Sequence, residues 1–350
     1  MIMKEMKKLI MLLSMIMSVH IILASETGLV TIELIPNDSL EVQIVAIASS
    51  MTVDWGDGTI SEYDVSEVPK EWQLSHVYQE EGVRTVCIKA DSLTCFGYDG
   101  RYKTVEIDSH FEEYWNSLSF GYCPDLDFIG CSRKELERLD VKQCPNLKTL
   151  ECYYNGLKEL DVSKNKKLRK LKCSTNQLQT LDLSRNAELE MLDCNGNRLT
   201  ELKTTANAQL WFIYCGMNEI KSLNVRRNHN LRILICIENQ LTSLDIRKNT
   251  KLEELYCDSN RISSIKIGKN TELKEIGINF NNMSYYNLGY LFNNLSMFRD
   301  GTMRIFGNPG SDKLERSIID NDVLGWKIVN EKLDINDINM FKVYFLMFMM

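Results

Sequence analysis

Seven cysteines recur along the chain at one fixed interval. Each follows the previous one by 21 residues without a slip in register: Cys131, Cys152, Cys173, Cys194, Cys215, Cys236 and Cys257. An asparagine series follows the cysteines at the same interval: Asn155, Asn176, Asn197, Asn218, Asn239, Asn260 and Asn281. A second series occupies the other half of the unit: Asn165, Asn186, Asn207, Asn228, Asn249 and Asn270. Because so short a unit cannot bury its own apolar face, the units are predicted to stack as a solenoid that shares one core.

The pattern inside each unit predicts one short strand per coil. In the segment LxxLxCxxNxL, two inward side chains flank one outward residue, which is the alternation of a strand. Stacked coils place such strands ~4.8 Å apart in a parallel sheet on one face. The other half, LxxLDVSxN, could form a second short strand on the opposite face, with few or no helices. Each asparagine stands at a bend, where its amide is predicted to bond unpaired backbone groups.

The repeated cysteines are predicted to be buried free thiols. Equivalent Cβ atoms on stacked coils lie about 4.8 Å apart, beyond the ~3.5–4.5 Å that a disulfide requires. A thiol is small and apolar enough to replace leucine where coils pack closely. Cys123 and Cys144 form a second, shorter stack. Cys87 and Cys95 lie outside the repeats, and a disulfide between them is left open.

These units resemble the bacterial leucine-rich repeat proteins with 21-residue repeats, in particular the internalin J type, in which cysteine replaces a leucine in every repeat. The resemblance covers residues 115–283 and implies a mainly β solenoid with a parallel sheet on one face. It also implies export and an adhesin-like or host-binding role. The chain departs from the internalin J type because it has no LPxTG sorting signal, and its first unit carries Lys134 at the asparagine position.

Residues 26–91 are a different module. Alternating apolar stretches separated by turn residues predict a small β-sandwich. The string VDWGDGTISEYDV, followed by His76 and Tyr78, resembles a PKD domain, which implies an immunoglobulin-like sandwich. Asp54 and Asp57 do not have the spacing of a calcium-binding loop, so we expect them to form a turn and expect no metal site.

Both ends of the chain lie outside the repeats. Residues 1–24 combine a basic start, an apolar run and small terminal residues, which predicts a cleaved export signal. Residues 92–114 are predicted to be a junction or N-terminal cap. Residues 284–330 break the period and predict a small α/β C-terminal cap with a helix at 288–295. The apolar stretch in the tail, residues 331–350, is too short to span a bilayer, and its role is unexplained.

Composition argues against several function classes. The formal net charge of -7 disfavours a nucleic-acid partner. The four histidines leave little material for a metal site or a general base. GxSxG, HExxH, Walker A and CxxC patterns are absent. We therefore expect no catalytic residue, cofactor or metal, and no transmembrane span once the signal is removed.

Apolar residues occupy the outward strand positions of three adjacent coils. The predicted patch consists of Trp211, Phe212, Tyr214, Ile233, Ile235, Ile237 and Tyr256. Exposed aromatic patches are typical of binding surfaces, and Arg232, Glu253, Glu254 and Asp258 are predicted to form its polar rim. Two alternatives remain open: the ordinary preference of strands for such residues, and coverage by a dimer partner.

The sequence thus predicts an exported binding protein, secreted, periplasmic or attached to the cell surface. Its partner is predicted to be an extracellular protein or glycoprotein. The alternatives are an accessory to a secreted glycan-active enzyme and a structural protein of the cell envelope.

Overall fold

The computed structural model describes seven stretches of the chain: residues 28–35, 41–63, 70–80, 82–97, 114–295, 301–313 and 326–330. The predicted export signal, the greater part of the junction and the tail lie outside the described residues. The chain divides into two compact units, residues 1–210 and residues 211–350. The structure is mainly β throughout the described stretches.

The first unit begins with strands that form two sheets. They are β1 (Leu29–Ile35), β2 (Glu41–Ala48), β3 (Ser50–Asp54), β4 (Ile60–Tyr63), β5 (Lys70–Val77), β6 (Arg84–Asp91), β7 (Cys95–Gly97) and β8 (Tyr114–Phe120). One sheet contains the order β8-β1-β6-β3-β4, and the other contains β7-β2-β5. Strand β1 runs antiparallel to β6 and to β8, with Ile32 opposite Val86 and Leu118. The assignment of these strands to a PKD-like, immunoglobulin-like domain stays a prediction.

The WGDG string forms the turn between β3 and β4. Trp55 is fully buried, and its carbonyl accepts a hydrogen bond from the Tyr78 hydroxyl at 2.8 Å. The Asp57 carboxylate lies 2.7 Å from His76 Nε2 and accepts from the Thr59 backbone at 3.0 Å. Burial raises the pKa of Asp57, but the bonds from Thr59 and His76 outweigh it and lower the pKa to about 2. These contacts give Asp57 a turn-forming role.

Strand β8 links the start of the predicted repeat region to the N-terminal sheet, and the domain boundaries stay a prediction. Strand β8 falls at the start of the predicted repeat region, yet it pairs with β1 of the N-terminal sheet, with Val30 opposite Phe120. An end coil has no preceding coil to accept its backbone bonds, so pairing with β1 supplies those partners. On its other side β8 runs parallel to β10 (Arg138–Asp140). Along the chain, β10 comes after β9 (Phe128–Gly130) and before the next repeat strand.

The repeat strands of the first unit pair in parallel, one per coil. Strands β9, β11 (Thr149–Glu151), β12 (Lys170–Lys172) and β13 (Met191–Asp193) follow β7 in the sheet. Every residue lies opposite the one 21 positions later, as Leu150 does opposite Leu171. The leucines at the strand centres are fully buried, so the strand row is one wall of the shared core.

The second unit continues this pattern within itself. Its strands are β14 (Phe212–Tyr214), β15 (Ile233–Ile235), β16 (Ser243–Asp245), β17 (Glu254–Tyr256), β18 (Ser264–Lys266), β19 (Glu275–Gly277), β20 (Gly301–Arg304) and β21 (Trp326–Val329). The order is β14-β15-β17-β19-β20-β21, while β16 and β18 form a separate parallel pair. In the described repeats, a strand in the other half of the unit occurs at β10, β16 and β18. Helix α1 (Tyr285–Asn293) begins three residues before the predicted start.

The asparagines bond the backbone of neighbouring coils. Asn176 Nδ2 donates to the carbonyls of Cys152 at 3.0 Å and Cys173 at 3.1 Å, and its Oδ1 accepts from the backbone N–H of Leu157 at 3.0 Å. In the second series, Asn186 Nδ2 donates to the carbonyls of Val162 and Asn165. Each amide therefore satisfies groups that the bend leaves unpaired.

A backbone feature that the sequence did not reveal also repeats every 21 residues. The residue before each asparagine has a positive φ of 49° to 63°: Tyr154, Thr175, Gly196, Met217, Glu238, Ser259 and Phe280. This left-handed conformation costs about 1–2 kcal/mol for a residue that carries a Cβ. Within this row only Gly196 avoids the cost, so six coils hold a strained residue at the same bend.

Candidate functional site

The predicted patch lies on β14, β15 and β17 in the second unit. Phe212, Ile233 and Glu254 form one in-register row across these strands. Tyr214, Ile235 and Tyr256 form the second row. The structure therefore brings the predicted residues together on adjacent coils.

The predicted exposure of this patch is wrong for most of its members. Phe212 is 3% exposed, Tyr214 and Tyr256 are each 4% exposed, and Ile233 and Ile235 are buried as well. The in-register pairing places equivalent side chains about 4.8 Å apart, so the flanks of each large side chain pack against those above and below. An outward direction on a strand therefore did not mean contact with water. A binding role for these five residues stays a prediction.

Trp211 and Ile237 are the members that remain partly exposed. Trp211 immediately precedes β14, and its ring meets that of Phe212 edge to face, with centroids 5.8 Å apart. Its carbonyl accepts backbone bonds from Arg232 at 2.8 Å and Ile233 at 3.1 Å. The backbone at Trp211 is thus fixed by the next coil while its indole keeps a solvent-facing edge.

The position that Trp211 occupies is charged in the other repeats. The residue before each repeat strand is, in chain order, Asp127, Lys148, Arg169, Glu190, Trp211, Arg232, Glu253 and Lys274. In the first unit Lys148 pairs with Asp127 at 3.1 Å and Arg169 with Glu190 at 3.3 Å. This charged series was not predicted, although its 21-residue spacing is visible in the sequence.

The charges around Trp211 in the second unit form a three-residue network. Arg232 Nε donates to Glu253 Oε1 at 2.6 Å, and Lys274 Nζ donates to Glu253 Oε2 at 3.0 Å. Burial raises the pKa of Glu253, but the bonds and charges of Arg232 and Lys274 outweigh it and lower the pKa. Arg232 and Glu253 thus lie where the predicted polar rim requires them.

The two other predicted rim residues point elsewhere. Glu254 accepts a hydrogen bond from the buried hydroxyl of Tyr256, which also donates to Glu275. Asp258 is buried, and its Oδ1 accepts from the backbone of Asn279 at 2.8 Å. Burial raises the pKa of Asp258 to about 6. Glu254 therefore makes a contact within its own coil and Asp258 makes one between coils, so neither forms an exposed rim.

The equivalent strand face of the first unit carries charges. Lys172 Nζ lies 3.1 Å and Lys170 Nζ 3.5 Å from the carboxylate of Glu151. Beside them Asp193 is 1% exposed, and burial raises its pKa to about 6. At this strand position the first unit thus carries buried or half-buried charged groups, whereas the second unit buries Tyr214, Ile235 and Tyr256.

The cysteines form stacked rows inside each unit. Cys131, Cys152, Cys173 and Cys194 are fully buried in the first, and Cys215, Cys236 and Cys257 in the second. These cysteines form no disulfides, and neither do Cys87 and Cys95. Burial raises the pKa of Cys131 to about 12, which disfavours its reactive thiolate form.

This chain is a leucine-rich repeat solenoid with a cysteine ladder. The parallel in-register strands, the buried leucines and the stacked thiols decide the assignment. No protein-family model matches the sequence of this solenoid, and no curated protein matches it.

Solved structures similar to the solenoid include two internalins and a spirochaete protein. The functional domain of InlJ from Listeria monocytogenes, which includes a cysteine ladder, is 23% identical over 53% of this chain and 56% of its own, with a TM-score of 0.33. A leucine-rich repeat protein of Leptospira interrogans is 20% identical over 60% and 65%, with a TM-score of 0.49. A second Listeria monocytogenes internalin, inlF, is 13% identical over 62% and 74%, with a TM-score of 0.45. The solenoid therefore spans less than two thirds of the first two chains.

Among the described residues, no helix has the length and apolar character to cross a bilayer. In the same stretches, no three His, Cys, Asp or Glu side chains are grouped so that they could hold a metal ion.

Proposed function

We propose that this leucine-rich repeat protein is an exported, non-catalytic binding protein that recognises an extracellular protein or glycoprotein beside β14. The contact centres on Trp211 and is framed by Arg232, Glu253 and Lys274. The single observation that carries this proposal is the interruption of a charged series by a partly exposed indole.

At this partly exposed position, a charged side chain is better solvated by water than the side chain of tryptophan. The other repeats place Lys, Arg, Asp or Glu there. Tryptophan is enriched among residues that dominate protein interfaces because it buries a large area and keeps a polar N–H. An exposed indole bordered by ion pairs has the arrangement of an apolar anchor with a polar rim.

The ion-pair network explains how such a contact would be directed. Glu253 is held between Arg232 and Lys274, so the rim presents fixed charges. Fixed charges at the edge of an interface mainly affect the association rate and the choice of partner. We therefore expect the association rate to fall as salt concentration rises.

The proposal is tested by binding of the mature chain from Glu26 to an array of extracellular-matrix proteins and mucins. Trp211→Ala should lose at least about tenfold in affinity, as expected for an anchor worth ~2 kcal/mol. Tyr154→Ala is the matched control, because Tyr154 is an exposed aromatic residue of the first unit. Binding that survives Trp211→Ala would overturn the site. A folded chain that binds no protein on the array would favour a structural role in the cell envelope.

Export is tested separately from binding. Fusion of residues 1–30 to a reporter that is active only outside the cytoplasm should give activity, and Leu13→Arg within the apolar run should abolish it. Activity retained in the variant would contradict the predicted signal. This result does not depend on the ligand.

A further inference from the structure

Helix α1 presents a row of tyrosines to solvent. Tyr286 is 83% exposed and Tyr290 is 53% exposed, and they lie four residues apart on one helix face. Tyr285, which is 37% exposed, meets Tyr286 edge to face with ring centroids 5.6 Å apart. We call Tyr285, Tyr286 and Tyr290 the tyrosine face.

The tyrosine face rests on a firmly held helix. Ser284 caps the first turn by accepting from the backbone N–H of Asn287, and Asn287 Nδ2 donates to the Ser263 carbonyl at 2.8 Å. Leu288, Leu291 and Phe292 are buried on the opposite side. The rings are therefore held by a fixed backbone, which lowers the entropy cost of binding a ligand.

The helix that carries the tyrosine face is itself uncharged. Residues 276–298 contain no Asp, Glu, Lys, Arg or His, although a quarter of the whole chain is charged. The neighbouring cation, Arg247, is bound by both oxygens of Asp245, at 3.0 Å and 2.8 Å. Asn293 and Asn294 are exposed at the end of the helix. The face therefore offers flat rings, phenol hydroxyls and amides, and no net charge.

We propose that the tyrosine face binds neutral oligosaccharides. Sugar rings expose C–H groups that pack flat on an aromatic ring, and their hydroxyls bond phenols and amides. A neutral polyol pays no penalty for approaching an uncharged helix, whereas an anionic glycan would have to compete with Asp245 for the neighbouring Arg247. A protein partner fits less well, because Leu288, Leu291 and Phe292 are buried and add no exposed apolar surface beside the rings.

This site is distinct from the Trp211 contact in chemistry. The Trp211 contact is bordered by ion pairs, whereas the tyrosine face has no charge within its own helix. Salt concentration should therefore leave glycan binding unchanged. Each of the two binding proposals can therefore be disproved without disproving the other.

The experiment is calorimetric titration of the full mature chain with four neutral hexasaccharides: cellohexaose, chitohexaose, mannohexaose and xylohexaose. At least one should bind, and Tyr286→Ala with Tyr290→Ala should weaken it at least about tenfold, as two lost stacking contacts predict. Tyr286→Phe with Tyr290→Phe keeps both rings and should retain most of the affinity. Trp211→Ala should bind the sugar as the parent does.

Three outcomes would overturn the proposal. They are absence of binding by all four sugars, unchanged binding by the double alanine variant, and tighter binding of a heparin hexasaccharide than of every neutral probe. Loss of protein binding in the double alanine variant without any sugar binding would instead mark a protein contact. Thermal melting of the variants separates these results from misfolding, because both rings lie outside the core.

Discussion

The hydroxyl of Ser174 donates to the carboxylate of Asp193 on the neighbouring coil at 3.0 Å. The other carboxylate oxygen accepts from the backbone of Asn195 at 3.2 Å. Even with both bonds, burial raises the pKa of Asp193 to about 6, above its ordinary value of 3.8. The folded state therefore favours the neutral acid, and ionisation above that pH costs stability.

We expect Asp193→Asn to stabilise the protein at pH 8 by about 1–3 kcal/mol, because asparagine keeps the bonds without the buried charge. The advantage should be complete above pH 6 and should shrink as the pH falls from 6 towards 3.8, where the unfolded chain also becomes protonated. Urea unfolding at pH 8 and near pH 4 measures both values. The exposed Glu188→Gln is the control, and a variant less stable than the parent at both pH values would contradict the explanation.

Asn186→Ala should destabilise the solenoid by about 2–4 kcal/mol, because the buried carbonyls of Val162 and Asn165 each lose a donor. Asn186→Asp should cost more, since a carboxylate cannot donate to either carbonyl. Chemical unfolding of the three proteins gives the order. An aspartate variant as stable as the parent would show that the amide donors are unimportant.

Met217→Gly should raise the unfolding free energy by about 0.5–1 kcal/mol. Its φ of 49° is strained for methionine, and relief of that strain exceeds the entropy that glycine adds to the unfolded chain. Gly196→Ala, at the same bend with a φ of 63°, should lower stability by a similar amount. Thermal melting compares the pair, and changes of the same sign in both would refute the strain argument.

Cys194→Ser should cost about 1–3 kcal/mol, because a polar hydroxyl replaces a buried thiol in an apolar stack. The native protein should also resist a thiol reagent until it is unfolded, since the ladder sulfurs are buried. An unchanged melting temperature or rapid labelling of the folded chain would contradict burial of the ladder.

The sequence allowed the repeat architecture to be predicted because its determinants are residue types at fixed positions. Leucine, cysteine and asparagine each have one structural role that recurs in every coil, so the 21-residue interval between them indicates the length of a coil. The φ row was hidden because Tyr154, Thr175 and Met217 share a backbone conformation and no side-chain chemistry.

The candidate site was harder to predict than the fold. Alternation gave the direction of Phe212 and Tyr214 but not how closely the next coil packs against them. Trp211 remained partly exposed because it precedes the strand instead of lying within it. The tyrosine face was missed because α1 begins at Tyr285, earlier than the apolar pattern indicated.

The asparagine bonds also limit how such a chain changes length over evolutionary time. The amide of Asn176 reaches back 24 residues to Cys152, and its oxygen reaches back 19 residues to Leu157. Gain or loss of a whole coil reproduces both distances, whereas an insertion of any other size separates donor from acceptor inside the core. Genetic duplication of 21 codons is therefore tolerated where a shift of two or three is not, and recombination between repeats becomes the natural way to alter the reach of the protein.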